Sequence, residues 1–215
     1  MEASRRPGVR VRRVGRLVNR AVTAAPWAWP LLRRPVRSFF ESSAPGWDER
    51  TGAGSAANLA PLAAAALHVG EPERVLDVGT GTGTGALMLA REFPRASVRG
   101  IDISEEMIRA AQAKVGLDPE GRIAFRVADA AALPYGEEAF DLVAQLNMPP
   151  FFAEIARVLR PGGHVIVAAS WGASTPFFTP VSVLERGFGR RGIETVHAGE
   201  VEHGTYYVGR KELSA

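Results

Sequence analysis

An apolar run passes directly into alternating glycines at residues 75–83, where the sequence is VLDVGTGTG. Glycine lets the backbone turn sharply and approach a ligand closely, because it has no Cβ. A predicted helix begins immediately afterwards, so its unpaired N–H groups would face the same place. The segment is therefore constrained to a strand–turn–helix unit that can bind a ligand at the carboxyl end of a strand.

From residue 74 onward, apolar segments alternate with helical ones. Buried strands are predicted near residues 74–79, 97–103, 122–128, 140–146 and 164–170, with helices near 84–93, 104–115, 151–160 and 180–190. This alternation specifies a mostly parallel sheet covered by helices on both faces. Two last strands, near 193–198 and 204–210, are too close in sequence for a helical crossover and should pair antiparallel. The predicted fold is a doubly wound, seven-stranded α/β sheet with its last strand antiparallel.

Basic charge is concentrated at the N-terminus. The whole chain has a formal charge of +3, yet residues 1–37 contain ten Arg and the single acid Glu2. Apolar residues at helical spacing predict a basic amphipathic helix over residues 1–22, which could contact a membrane surface, a nucleic acid or a partner chain. The alternative is a solvated arm, as is common at chain termini. We expect the solvated arm, no nucleic-acid partner, and membrane contact only as a secondary hypothesis.

The segment 26–50 is unusually aromatic, with three Trp, two Phe and four Pro. It is too aromatic for a linker and too rich in Pro for one helix. We expect it to pack over the rest of the protein. The sequence is therefore divided into a basic arm with an aromatic lid segment, residues 1–54, and an α/β domain, residues 55–215.

Several classes of protein are disfavoured by composition. The chain contains no Cys and only four unclustered His, so we expect neither disulfides nor a metal site. No run of 18 apolar residues is present that would predict a membrane-spanning helix. The apolar stretch 21–32 is interrupted by Pro26 and Pro30 and followed by two Arg, which disfavours a signal peptide. We expect a cytoplasmic protein.

Three acids lie within or at the ends of predicted strands. Asp77 lies two residues before the first glycine, Asp102 ends the second strand, and Asp129 ends the third. A carboxylate at the position of Asp102 can accept both hydroxyl hydrogens of a ribose. The glycine spacing also satisfies a relaxed nicotinamide-dinucleotide fingerprint. Asp77 disfavours that alternative, because it would repel a pyrophosphate.

Four motifs in this order resemble those of class I S-adenosylmethionine-dependent methyltransferases, most closely the ubiquinone and menaquinone biosynthesis group. They are VLDVGTGTG at 75–83, GIDIS at 100–104, VADAAALPYGEEAFDLV at 127–143 and LRPGGHVIV at 159–167. The resemblance extends over residues 55–210. It implies a Rossmann-like methyltransferase fold and S-adenosylmethionine as the cofactor.

The same resemblance implies which residues contact the cofactor. It assigns Asp77, Gly79, Thr80, Gly81, Gly83 and Gln145 to the methionine portion, Asp102 to the ribose, and Ile103, Met107, Asp129 and Ala130 to the adenine ring. Pro161 and the two glycines after it are expected to form a structural turn before the fifth strand.

The expected reaction is in-line transfer of a methyl group to a small-molecule acceptor. The cofactor supplies the reactivity and the protein supplies binding and orientation, so no catalytic side chain is assigned. Two alternatives stay open: a nicotinamide-dependent oxidoreductase, and a cofactor-binding protein without activity. The oligomeric state is not predicted.

The acceptor pocket is predicted from aromatic residues. The stretch after the fourth strand, which faces the acceptor in the resembling family, is short here. The candidates are therefore Phe39 and Trp47 in the lid segment, and Trp171 and Phe177 in the 170–179 connection. We expect Trp47 and Trp171 to approach the methyl end of the cofactor from opposite sides.

Overall fold

The computed structural model describes residues 9–116, 118 and 120–213. Its centre is a seven-stranded sheet in the order β3-β2-β1-β4-β5-β7-β6. The strands are β1 Arg74–Val78, β2 Ser97–Asp102, β3 Ile123–Val127, β4 Phe140–Leu146, β5 Leu159–Ala169, β6 Ile193–Val201 and β7 Gly204–Lys211. Only β7 is antiparallel to its neighbours, β5 and β6. The predicted fold is confirmed, including the reversed last strand.

Eight α-helices flank this sheet in the described part of the chain. They are α1 Val9–Ala24, α2 Trp29–Ser43, α3 Trp47–Thr51, α4 Ala56–Ala66, α5 Thr84–Glu92, α6 Glu105–Lys114, α7 Phe152–Val158 and α8 Val181–Gly189. Helix α6 begins where Ser104 caps it, since the Ser104 Oγ accepts from the Met107 N–H. Within these residues, no helix is long and apolar enough to cross a bilayer.

Two apolar clusters cover the two faces of the sheet. Alternate residues of β1 divide between them: Leu76 and Val78 face one cluster and Val75 the other. This two-sided burial follows from the nearly continuous apolar runs of the parallel strands. The strands β1, β2 and β4 are parallel, so their carboxyl ends lie at one edge of the sheet. The pairings of Val78 with Ile101 and of Asp77 with Ala144 show this register.

The fifth strand begins earlier than the sequence predicts. Pro161-Gly162-Gly163 lies inside β5, not in a turn before it, and the pairing with β4 shifts register between Phe140 and Leu142. Gly162 adopts a φ of 75°, which is open to glycine at little steric cost. The turn-like residues therefore form an irregularity within a continuous strand.

The N-terminal arm is not solvated, contrary to expectation, over the residues that the structure describes. Val18 and Val22 of α1 are buried in the same core cluster as β1. Asn19 is also buried: its Nδ2 donates to the Phe178 carbonyl at 3.0 Å, and its Oδ1 accepts from Thr179 Oγ1 at 3.0 Å. Spacing alone could not show this, because the partners lie about 160 residues away. Residues 1–8 of the predicted arm lie outside the described residues.

Candidate functional site

The glycine-rich loop joins β1 to α5 at the carboxyl edge of the sheet. Gly79, Gly81 and Gly83 have φ values of 71°, 53° and 82°, which disfavour any residue with a Cβ. A Cβ on Gly83 would lie 2.8 Å from the Phe125 ring, so this glycine permits close packing beneath the loop. A Cβ on Gly81 would meet nothing within 4 Å. The loop is therefore closely packed below and open above Gly81, where a ligand could lie.

Asp77 is buried directly beneath this loop. Thr80 Oγ1 donates a hydrogen bond to its carboxylate at 2.6 Å, and the backbone N–H of Ala86, at the start of α5, donates another. Burial raises the pKa of Asp77 to about 6, and these hydrogen bonds offset only part of that effect. The carboxylate thus supports the turn and carries a negative charge that is poorly solvated at neutral pH.

Asp102 connects the end of β2 to the loop. Its Oδ2 accepts from the Gly81 N–H at 3.0 Å, and its Oδ1 accepts from the Ser104 N–H at 2.9 Å. Burial raises the pKa of this carboxyl, while the backbone N–H groups of Ser104 and Gly81 act in the opposite direction. The acid is therefore held beside Gly81 at the carboxyl end of β2, and its expected contact with a ribose stays a prediction.

Gln145 lies fully buried on β4, next to β1. Its Nε2 donates to the Met148 carbonyl at 2.8 Å, while its Oε1 has no hydrogen-bond partner within the described residues. An unpaired buried amide oxygen is costly unless a ligand supplies a donor. Met148 contacts the loop so closely that a Cβ on Gly79 would lie 2.1 Å from its Sδ. Gln145 and Met148 therefore flank the loop on the β4 side.

Asp129 is engaged by a residue from the N-terminal segment. The indole Nε1 of Trp29 donates to both carboxylate oxygens, at 2.8 and 3.0 Å, and the Ala131 N–H donates to one of them at 2.9 Å. The Trp29 ring is buried and lies edge-on to Phe151, with centroids 5.1 Å apart. Helix α2 is thus fixed over the carboxyl end of β3.

A cavity of about 280 Å³ lies beside Asp129, under α2. It is lined by Arg33, Arg34, Arg37, Ile103, Val127, Ala128 and Asp129. Two residues predicted to contact adenine, Ile103 and Asp129, therefore share one cavity. Met107 and Ala130, assigned to the same ring, are buried and do not line it.

Asp48 fixes helix α3 to the glycine-rich loop and to helix α6. Thr82 Oγ1 donates to Asp48 at 2.5 Å, and Asp48 forms an ion pair with Lys114 of α6. The neighbouring Trp47 lies edge-on to Phe40, with ring centroids 5.7 Å apart. This ion pair and hydrogen bond place helix α3, which begins at Trp47, next to the glycine-rich loop.

The four predicted acceptor residues divide into two groups. Phe40 connects three of them, with ring centroids 5.3 Å from Phe39, 5.7 Å from Trp47 and 6.3 Å from Phe177. Trp171 instead stacks on His203 in the turn between β6 and β7, with centroids 5.6 Å apart. The predicted approach of Trp47 and Trp171 to a methyl group from opposite sides stays a prediction.

Four residues at this edge were missed by sequence reasoning: Trp29, Arg33, Asp48 and Met148. The aromatic content of 26–50 predicted that this segment packs over something, but not which strand ends it reaches. Asp48 and Met148 carried no motif signal, since their partners are distant in sequence or depend on the loop geometry.

Comparisons with known proteins agree with this geometry. Residues 75–163 match the family model described as a methyltransferase domain. The chain is 42% identical over 101 residues to the ubiquinone/menaquinone biosynthesis C-methyltransferase of Syntrophotalea carbinolica, covering 44% of this chain and 42% of that protein. It is 35% identical over 138 residues to the malonyl-[acyl-carrier protein] O-methyltransferase of Geobacter sulfurreducens, covering 61% of this chain and 51% of that protein.

A solved structure has the same fold. It is described as an S-adenosylmethionine-dependent methyltransferase from Aquifex aeolicus, with a TM-score of 0.61 at 20% identity, covering 72% of this chain and 91% of that one. The chain spans about half the length, or less, of the two curated relatives named above. The resemblance predicted from the motifs is confirmed for residues 75–163, which match a methyltransferase domain.

Proposed function

We propose that this chain, which carries the motifs and fold of a class I methyltransferase, transfers a methyl group from S-adenosylmethionine to a small-molecule acceptor by in-line displacement. The observation that carries the proposal is the open face of Gly81, bounded by the Asp102 carboxylate on the β2 side. The matched methyltransferase domain, residues 75–163, covers this loop, β2 and all of β1 except Arg74.

The residues present fit that cofactor in three respects. The unpaired Oε1 of Gln145 and the buried charge of Asp77 both favour a cationic group near the loop. Asp102 keeps acceptor capacity for ribose hydroxyls, since a carboxylate can accept about four hydrogen bonds. The apolar Ile103 and Ala128 together with Asp129 suit a flat ring that bears an amino group.

The cofactor, when bound, supplies a methyl group on a positively charged sulfur. The chain's own residues would bind and orient the reactants. Asp102 and the loop would fix the nucleoside, while Gln145 and Met148 would hold the amino-acid end. Alignment of this kind accounts for much of the rate of a bimolecular displacement. We assign no general base.

The proposed acceptor is small and apolar or aromatic. Phe40, Trp47 and Phe177 form an aromatic cluster, and Trp47 begins the helix whose Asp48 bonds to Thr82 of the loop. Such rings can exclude water from the transfer. Among the relatives are enzymes named for quinone and mycocerosate-lipid methylation. The nicotinamide alternative is not favoured, because the matched domain is a methyltransferase domain.

Calorimetric titration with S-adenosylhomocysteine and, separately, with NAD tests the cofactor. We expect binding of the first and none of the second. Formation of S-adenosylhomocysteine over a panel of phenols, quinols and aliphatic acids then tests the acceptor class. Binding of NAD alone would overturn the proposal, and turnover confined to acyl-carrier proteins would overturn its small-molecule part.

A further inference from the structure

Four large apolar side chains are exposed on the first two helices and the short turn between them. They are Val14, Leu17, Trp27 and Leu31, which are 61%, 67%, 78% and 76% exposed. We call these four residues the outer face. Side chains of this size are usually at least partly covered, and an uncovered group of them marks an interaction surface.

Helix geometry explains why these residues are exposed. Val18 and Val22 of α1 are buried, whereas Leu17 precedes Val18 by one position, about 100° around the helix. On α2 the buried residue is Trp29, and Leu31 follows it by two positions, about 200° around the helix. Both helices therefore bury one side against the domain and present apolar residues on another.

The chain segment that contains the outer face carries charge of one sign. No acidic residue occurs between Glu2 and Glu41. Arg13, Arg20 and Arg34 are exposed and form no ion pair within the described residues. Apolar residues with Trp, bordered by Arg, are the composition of helices that lie in the headgroup region of a bilayer.

We infer that the outer face is a docking surface for an anionic membrane. Trp27 and Leu31 would enter the boundary between headgroups and acyl chains, while the unpaired Arg side chains contact lipid phosphates. A symmetric contact between two copies fits less well, because it would bring the Arg side chains of one copy against those of the other.

Docking would also orient the proposed active site. Helix α2 presents Leu31 outward and fixes Trp29 against Asp129 inward. The cavity lined by Arg33, Arg34 and Arg37 would then open near the membrane surface. This inference goes beyond the proposed function, since the surface would bind membranes whether or not a methyl group is transferred.

Co-sedimentation with vesicles tests the inference. The full chain is mixed with phosphatidylcholine vesicles, or with vesicles that also contain phosphatidylglycerol, at low and at high salt. We expect binding to the anionic vesicles, weakened but still measurable at high salt because the apolar part is not screened. The double variant Trp27→Ser/Leu31→Ser should bind about tenfold more weakly.

Leu67→Ser is the matched control, because Leu67 is 77% exposed but lies just after α4, away from the outer face. It should bind vesicles as the wild type does, and all variants should keep the wild-type melting temperature. Equal weakening by Leu67→Ser, or no weakening by the double variant, would overturn the inference. So would concentration-dependent dimerisation that the double variant abolishes, since the outer face would then bind a second copy.

Discussion

The indole of Trp29 donates hydrogen bonds to both carboxylate oxygens of Asp129, a residue 100 positions later in the chain. This pair connects the aromatic N-terminal segment to the residue proposed to recognise the adenine amino group. The carboxylate also accepts from the Ala131 N–H and still has acceptor capacity for a ligand. Trp29 thus orients Asp129 without occupying all of its acceptor positions.

Trp29→Phe tests this arrangement. The ring would still pack on Phe151, but Asp129 would lose a donor and its fixed orientation. We expect S-adenosylhomocysteine to bind about three- to tenfold more weakly, or about 0.6–1.4 kcal/mol, which is within the net contribution of one typical hydrogen bond. Calorimetry measures the affinity, and Trp27→Phe, at an exposed indole, is the control. Tighter binding by Trp29→Phe would show that the indole competes with the ligand.

Asp102→Ala should weaken S-adenosylhomocysteine binding by about 1.5–3 kcal/mol, the range for hydrogen bonds to charged groups. The carboxylate also accepts from Gly81 and Ser104, so circular dichroism must confirm that the variant is folded. Glu105→Ala, at an exposed acid three residues later, should leave the affinity unchanged. An unchanged affinity in folded Asp102→Ala would remove Asp102 from the site.

Asp77 should make the free protein less stable as the pH rises. Its folded pKa of about 6 lies above the ordinary value of 3.8, so the folded state binds more protons between these values. The free energy of unfolding should fall across that window, by at most about 3 kcal/mol, the equivalent of the shift. The ionised acid favours a cationic ligand, so affinity should decrease below about pH 6.

Asp77→Asn should remove this pH dependence and stabilise the free protein at pH 7, while weakening cofactor binding. Urea unfolding at several pH values between 4 and 7, with and without ligand, measures both effects. A variant that keeps the wild-type slope would assign the pH dependence to another group.

The packing of α1 predicts that Val22→Ala lowers the free energy of unfolding by about 1–3 kcal/mol, because it leaves a cavity in the core. Val14→Ala, on the exposed side of the same helix, should stay within about 0.5 kcal/mol of wild type. Equal effects of the two changes in urea unfolding would indicate that α1 does not dock on the domain.

Trp47→Ala should reduce turnover far more than cofactor affinity, because the lost contacts orient the acceptor and do not hold the nucleoside. We expect at least a tenfold loss in kcat/KM with S-adenosylhomocysteine affinity within about twofold. We make the same prediction for Trp171→Ala. The stacking of Trp171 on His203 gives a further test. His203→Ala should lower kcat/KM as Trp171→Ala does only if that stack positions the indole.

Local patterns determined the sheet and the loop of this protein. The strands, their mostly parallel direction and the reversed last strand follow from alternating apolar and helical segments, because each segment's periodicity depends only on neighbouring residues. The glycine-rich loop and Asp102 were predictable for the same reason: the backbone geometry and the strand end are encoded within a few positions. The early start of β5 was not predictable, because a glycine such as Gly162 can adopt a positive φ both in a turn and at an irregularity within a strand.

The covering of the site was decided only by the tertiary structure. The contacts of Trp29 with Asp129, of Asn19 with Phe178 and of Asp48 with Thr82 join residues between 34 and 159 positions apart. No periodicity specifies such pairs, because a buried indole or amide can satisfy its donor at many acceptors of similar chemistry. Which acceptor is used depends on where the helices settle on the finished sheet, and that position follows from burying Val18, Val22 and Trp29 together in one core.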